Sequence, residues 1–255
     1  MSNLSDIGFP VQNEQDVNVL ITETIRYVES IKCPQGFYLR FADESGAEMY
    51  LQGNNEQELI GFNPHFAGMS RRKVGLSKRI ERDSSELDGG FYAWANPKDY
   101  ETDTGDYAFV FDVPDFRLTS EIRLPQIQEI QLTAFASSDF KVYESEKDFD
   151  ESQDGELKNS LKSFVSSGLF AFDAEDESSD LNAARPIAIF AGIIKEFELK
   201  KNELSGENFY WFLVETLGGE TDVVADVKLI NNEPKIGGVV SGQFWLSGKL
   251  NAQTK

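Results

Sequence analysis

IAIFAGIIKEFELK at Ile187–Lys200 opens a run of four long β-type segments, and this run decides how the chain is expected to fold. The other three read NFYWFLVETL at Asn208–Leu217, TDVVADVKLI at Thr221–Ile230 and VVSGQFWLSGKL at Val239–Leu250. β-Branched and aromatic residues dominate all four segments. Turns rich in glycine, asparagine and serine separate them, so the pattern predicts four consecutive strands.

Glycines inside these segments indicate bent strands. Gly192 interrupts the first segment, and Gly242 and Gly248 interrupt the fourth. Interior glycines permit bulges and sharp bends, which suit a small barrel better than a flat sheet. The order of long, glycine-kinked strands resembles an OB-fold barrel, although the loop Asn231–Gly238 stands where that family carries a helix. The resemblance implies a small C-terminal β-barrel, an architecture that hosts many unrelated activities.

The N-terminal part of the chain begins with a predicted helix. Between Val17 and Ile31, apolar residues recur at spacings of three and four, which is typical of one helical face. The same stretch also alternates and is rich in β-branched residues, as a strand would be. Asn13 precedes an acidic first turn, and Pro34 and Gly36 supply a stop, so these signals favour the helix.

Short strand candidates follow the helix, with turn signals between them. Asp43–Gly46 is a hairpin connection, and Asn63–Pro64 is expected to end a strand that begins at Leu59. The predicted strands are Phe37–Ala42, Ala47–Gln52, Leu59–Phe62, Phe91–Ala95, Tyr107–Val113 and Ile127–Ala136. The fold class expected for this part is α+β, a mostly antiparallel sheet with one packed helix.

Charge divides the chain into three predicted parts. The formal net charge is -20, and the excess acid lies before residue 181, because the remaining 75 residues carry nine acidic and eight basic side chains. Residues 139–184 are rich in Asp, Glu and Ser, with a helix-compatible stretch at Leu157–Val165 and a solvated run at Glu175–Asp180. We therefore expect an α+β domain at 1–138, an acidic connector with partial structure at 139–184, and the OB-like barrel at 185–255.

Few residues offer familiar catalytic or metal chemistry. Cys33 is the only cysteine and His65 the only histidine, so neither a disulfide nor a zinc cluster is expected. His65 lies between aromatic residues beside a turn, which favours a packed residue over a catalytic base. The stretch from Asp150 to Gly155 begins like a calcium loop, but Leu161 stands where a bidentate glutamate is needed. The sequence therefore predicts no cofactor and no metal site.

The acidic composition also limits the partners that we expect. A strongly negative chain is repelled by phosphate backbones and by anionic lipid surfaces, so neither nucleic acid nor a membrane is an expected partner. The N-terminus has no basic and apolar leader, and no run approaches the roughly 18 apolar residues of a membrane span. The expected location is the cytoplasm.

One basic stretch stands out against this acidic background. Six basic side chains fall between residues 71 and 82, namely Arg71, Arg72, Lys73, Lys78, Arg79 and Arg82. One interpretation is an anion site or a docking strip for an acidic surface. The other, which we favour, is that these side chains pair within the chain with its own acidic groups.

These observations favour a non-catalytic binding protein whose acidic surface suits a basic protein partner. Two alternatives stay open. The OB-like barrel could bind single-stranded nucleic acid or an oligosaccharide, although the aromatic run at Phe209–Phe212 is expected to form core on at least one face. A pair among the many carboxylates could also serve a hydrolase, but spacing alone selects no pair.

Overall fold

The structure is a computed structural model of the chain, and it describes residues 3–82, 85–98, 102–153, 160–167 and 184–251. Within these residues strands predominate and helices are few. The helices are α1 at Glu14–Thr24 and α2 at Glu146–Glu151, with 3₁₀ turns at Ser5–Ile7, Phe116–Thr119 and Val227–Leu229.

A four-stranded antiparallel sheet forms the N-terminal layer. Its strands, in their spatial order, are β1 at Glu29–Cys33, β2 at Gly36–Ala42, β3 at Ala47–Asn54 and β4 at Leu59–Phe66. β2 and β3 form the predicted hairpin, with Phe41 paired to Met49. Gly46 closes the turn at a φ of 95°, which a side chain rarely tolerates.

The second sheet contains ten strands, and eight of them close into a barrel. Its strands are β5 at Arg72–Glu81, β6 at Gly89–Ala95, β7 at Ala108–Asp112, β8 at Gln126–Ala136, β9 at Lys141–Tyr143, β10 at Phe164–Ser166, β11 at Ile187–Lys201, β12 at Asn208–Thr216, β13 at Gly219–Asp226 and β14 at Val239–Leu250. The spatial order is β10-β11-β12-β13-β8-β5-β6-β7-β14-β9, and a further pairing of β11 with β14 completes the closure.

β14 changes partners halfway along its length. Its first half pairs with β11, from Val239 to Trp245, and its second half pairs with β8, from Leu246 to Leu250. β8 also pairs with β13, so it lies between two of the C-terminal strands. The four predicted C-terminal strands are present, although the third ends at Asp226 and Val227–Leu229 form a 3₁₀ turn. These strands do not close on one another. The OB-fold resemblance is therefore not confirmed, and the division at 138/139 and 184/185 stays a prediction.

Phenylalanines from both halves of the chain fill the barrel. Phe109 and Phe111 come from β7, while Phe190, Phe212 and Phe244 come from the C-terminal strands. All five are at most 1% exposed. Burying each such ring contributes about 1.5–3 kcal/mol, so this core holds the barrel strands together.

The structure corrects the predicted helix at Val17–Ile31. α1 ends at Thr24, and residues 29–33 form β1, with Ile31 paired to Tyr38 of β2. Of the β-branched residues after Thr24 in the predicted helix, Ile31 joins the sheet, because strand pairing with β2 outweighs a local helical pattern there.

Two further predictions about element ends change. β4 continues through Asn63–Pro64 to Phe66, because β4 is an edge strand, where the absence of the proline N–H is tolerated. Of the helix-compatible stretch Leu157–Val165, residues 157–159 lie outside the described residues, and Phe164–Ser166 form β10 instead of a helix. The run Glu175–Asp180 and residues 154–159 of the calcium-like loop also lie outside them.

Candidate functional site

The four-stranded sheet presents a polar face to the barrel, and this face is buried. Along β3, Met49 and Leu51 lie in a hydrophobic cluster with residues of α1 and β12. The alternate residues Glu48, Tyr50 and Gln52 point the other way, and none of them is more than 2% exposed. A row of polar side chains is thus enclosed between the sheet and the barrel, where each needs a hydrogen-bond partner.

Glu48 is the centre of this enclosed row. Its carboxylate accepts hydrogen bonds from Arg40 Nε at 3.1 Å and from the Tyr50 hydroxyl at 2.9 Å, and Lys249 Nζ lies 3.5 Å away. Burial works to raise the pKa of Glu48, but the charges of Lys249 and Arg40, the Arg40 hydrogen bond and, once it is protonated in acid, His65 outweigh burial, so the pKa is lowered. Glu48 is therefore an ionised carboxylate that links the sheet to β14.

His65 lies beside Glu48 on the neighbouring strand β4 and contacts the barrel. Its Nδ1 is 2.8 Å from Ser247 Oγ, yet His65 is 0% and Ser247 1% exposed. Burial lowers the pKa of His65 to about 4, so the ring is neutral at pH 7. A serine and an imidazole at this distance resemble a nucleophile with its base. Both side chains are buried, so His65 is packed in the interior between the sheet and the barrel.

An open cleft of 680 Å³ lies over the Lys249 end of this row. Lys249 forms part of its wall and donates a hydrogen bond to the Tyr50 hydroxyl. Burial raises the pKa of Asp115, which also lines the cleft. The charges of the lining residues are balanced, since Asp115 and Glu121 face Arg123 and Lys249. The cleft therefore shows no preference for ligands of one charge.

A second buried carboxylate joins three parts of the molecule. Asp222 of β13 is 0% exposed and accepts four hydrogen bonds. The donors are Met69 N at 2.9 Å, Ser70 N at 2.9 Å, Gln131 Nε2 at 2.7 Å and Trp211 Nε1 at 2.8 Å. The carboxylate thereby ties the segment that leads into β5 to β8 and β12.

Arg72, from the predicted basic strip, is buried at 2% exposure. Its guanidinium donates to the carbonyls of Leu217 at 2.7 Å and Gly218 at 3.2 Å, and to the Tyr107 hydroxyl at 2.9 Å. It also lies over the ring of Phe164, 5.4 Å from the ring centroid. Neutral oxygens and an aromatic face hold this charge.

Arg79 and Arg82 also turn into the molecule. Arg79 donates to the Thr119 hydroxyl at 2.9 Å and lies over the ring of Phe91 at 5.1 Å. Arg82 forms an ion pair with Asp112 at 2.7 Å. The other members of the strip, which are Arg71, Lys73 and Lys78, are exposed. β5 therefore separates the six basic residues into an inner and an outer set.

The sequence does not predict the buried hydrogen-bond networks around Glu48 and Asp222. The alternating polar residues of β3 have the pattern of a solvent-facing side, and nothing local indicates that a second layer covers them. The partners come from distant positions: Lys249 lies 201 residues from Glu48, and Gln131 lies 91 residues from Asp222. The one local signal of these networks in the sequence is the alternation of polar and apolar residues along β3.

Fold and site define a strand-dominated protein, in which a closed barrel and a four-stranded sheet enclose a charged, hydrogen-bonded interface. Among the described residues, no group of three or more His, Cys, Asp and Glu side chains is arranged to hold a metal ion. In the same part of the chain, none of the helices has the length and apolar character needed to cross a membrane. Comparisons with protein-family models, curated proteins and solved structures found no match.

Proposed function

We propose that this chain is a non-catalytic binding protein whose partner is a basic protein. The observation that carries the proposal is that five of the nine arginines are held by groups of the fold, while Arg26, Arg71, Arg123 and Arg185 are exposed. Arg72, Arg79 and Arg82 are held by oxygens or aromatic rings of the fold, and Arg40 and Arg117 pair with Glu48 and Glu81. Cations that are bound in this way offer little to an outside anion.

The surface that remains suits a cationic partner. With a net charge of -20, the chain produces a negative field that raises the encounter rate with basic proteins and repels nucleic acids. The Ser247–His65 contact supports a non-catalytic role, because both side chains are buried. Long-range attraction of this kind weakens as salt shortens the Debye length, which is about 10 Å at 0.1 M.

Affinity capture from a lysate of the source cell tests the proposal. The bait is the full chain, and the control bait is an unrelated acidic protein of similar size and net charge. We expect a basic protein that the chain retains at about 0.05 M salt, that the control does not retain, and that about 0.5 M salt releases. Capture of the same proteins by both baits, or of none, contradicts the proposal.

A carboxylate-based hydrolase is the second candidate, because two clefts carry carboxylates in their walls. Asp115 and Glu121 line one cleft, and Glu207 and Asp226 line another. Turnover of chromogenic glycosides that is lost in Asp115→Asn or Asp226→Asn would support it. The nucleic-acid alternative has less support, since the β12 aromatics that stacking on bases requires are mostly buried.

A further inference from the structure

The N-terminal segment around Pro10 and Val11 has a cleft on each side. One cleft has a volume of 430 Å³ and reaches the 3₁₀ turn after β13, and the other has a volume of 340 Å³ and reaches α1. Both clefts share Pro10 and Val11 as wall residues, so they adjoin each other at this segment. We call the two adjoining clefts together the N-terminal groove.

The charged side chains that line the N-terminal groove are mostly acidic. Asp16 and Glu23 of α1 line one end, and Glu207 and Asp226 line the other. The single basic side chain in the lining is Lys228, whose Nζ lies 4.0 Å from Asp226. In contrast to the charge-balanced cleft beside Lys249, this groove has local charge that complements a cation.

Apolar surface accompanies the carboxylates. Val19 of α1 and Leu204 line the α1 end, and Val19 is 55% exposed. Phe9 and Val11 lie beneath the groove and are at most 9% exposed. A ligand that combines cationic groups with an aliphatic side chain would therefore match both components of the lining.

The groove is fixed in shape by the fold. Asn202 Nδ2 donates to the Ile7 carbonyl at 3.0 Å, and Ser205 Oγ donates to the Gly8 carbonyl at 2.6 Å. Gly8 has a φ of 81°, and a Cβ there would lie 2.7 Å from the Asn202 side chain. Because these contacts order the segment before any ligand arrives, binding would cost little ordering entropy.

We propose that the N-terminal groove binds an extended basic segment of the partner protein, with cationic side chains at Glu23 and Glu207 and an aliphatic side chain against Val19. The proposal rests on the proposed function and names the surface that carries it. The acidic and apolar side chains of the groove determine which segment of the partner binds, and the net charge of the chain alone does not.

The first test measures binding of the full chain to a fluorescein-labelled peptide of alternating arginine and leucine, by anisotropy at about 0.05 M salt. Citrulline in place of arginine gives the uncharged comparison peptide. We expect Glu23→Gln with Glu207→Gln to weaken binding about 5-fold, the effect of losing two exposed ion pairs. The matched control, Glu56→Gln with Glu146→Gln, removes the same charge from exposed positions outside the groove, and we expect a change below about 1.5-fold.

The second test addresses the apolar component. Val19→Ser should weaken peptide binding about 3-fold, because it removes apolar surface from the groove. Ile236→Ser is the matched control, since Ile236 is 73% exposed and lies outside the groove lining. Circular dichroism shows whether the variants keep their fold.

The outcomes separate the groove from the wider function. Equal weakening by both glutamine pairs, or equal binding of the arginine and citrulline peptides, overturns the groove proposal. If the capture experiment still returns a basic partner whose binding the groove variants do not change, the proposed function stands and the groove proposal fails. If no basic partner is captured and no peptide binds, both fail.

Discussion

Asp222, Glu48 and Arg72 carry charge inside the protein, and each is stabilised by oriented hydrogen bonds. Removing a charge from water is costly unless donors or acceptors replace the lost hydration. Asp222 receives four donors, Glu48 lies among Arg40, Tyr50 and Lys249, and Arg72 donates to carbonyl oxygens. Loss of one partner leaves the others unsatisfied, so these sites should be sensitive to isosteric substitution.

Asp222→Asn should lower the free energy of unfolding by about 3 kcal/mol. An asparagine keeps one acceptor oxygen and places an NH₂ group against two of the four donors that Asp222 now accepts. Urea unfolding at pH 7 measures the change. Asp103→Asn, at an exposed position, is the matched control and should stay within about 0.5 kcal/mol of the unmodified chain. Similar values for the two variants would contradict a structural role for the Asp222 network.

His65 should make the protein less stable in mild acid. Its folded pKa of about 4 lies below the usual 6.5, so the unfolded chain binds more protons between these values. Stability from this group is present above pH 6.5 and is lost as the pH falls towards 4, with about 2 kcal/mol lost by pH 5. His65→Asn retains an amide near the Nδ1 position and should remove this loss.

The measurement is the free energy of unfolding at pH 7, 6 and 5 for both proteins. Burial raises the pKa of Asp6, Asp112 and Asp115, which acts in the opposite direction as the pH falls. These carboxyls are present in both proteins, so the difference in pH dependence reports His65 and its electrostatic coupling to Glu48. Parallel pH curves would show that His65 does not contribute.

At the scale of the element, a strand of this protein is defined by what covers its two faces. β3 places apolar residues against α1 and β12 and polar residues towards Lys249 of β14, and both faces are buried. β5 directs Arg72 inwards while Lys73 stays exposed. Alternating polar residues are therefore buried in one strand and exposed in another, depending on whether a second layer covers that face of the strand.

α1 begins at a capping box, which should contribute measurably to stability. The Asn13 side chain accepts from Gln15 N at 2.9 Å and Asp16 N at 3.2 Å, and Asp16 accepts in return from Asn13 N. Asn13→Ala should lower the free energy of unfolding by about 1 kcal/mol. Asn18→Ala, on the exposed face of the same helix, should be neutral or slightly stabilising. Thermal unfolding followed by circular dichroism compares the two, and equal losses would exclude a capping effect.

At the scale of the whole molecule, barrel closure depends on strands that are distant in sequence. β8 pairs with β13 in parallel and with β14 in antiparallel orientation. In addition, β5 lies between β8 and β6, so residues 72–136 contribute β5–β8 to the ring. Long-range pairing of this kind usually makes folding slow, because loop closure precedes the contacts that stabilise it.

The fragment 185–255 tests whether the C-terminal strands form an independent unit. Without β8, β13 keeps only β12 as a neighbour, and residues 246–250 of β14 lose their pairing. We therefore expect no cooperative unfolding transition and poorly dispersed proton NMR shifts. Addition of fragment 1–184 should restore dispersion if the two pieces complement each other. A cooperative transition of the isolated fragment would instead support the predicted division at 184/185.

The sequence by itself determined the local elements. The strands of residues 187–250, the hairpin around Gly46 and the Asn13 cap follow from β-propensity, turn chemistry and capping, all of which act over a few residues. Composition also predicted an acidic surface. The sequence could not predict where α1 ends, because pairing with β2 places residues 29–33, including Ile31, in a sheet.

Only the tertiary structure decided how the elements close and which charges are enclosed. β8 pairs with both β13 and β14, and Glu48 contacts Lys249. Arg72, in contrast to the exposed members of the basic strip, donates hydrogen bonds to the carbonyls after β12. These contacts join residues tens to hundreds of positions apart. Their free energy depends on burial and on oriented partners that exist only once the chain has folded, and local sequence patterns carry no record of either.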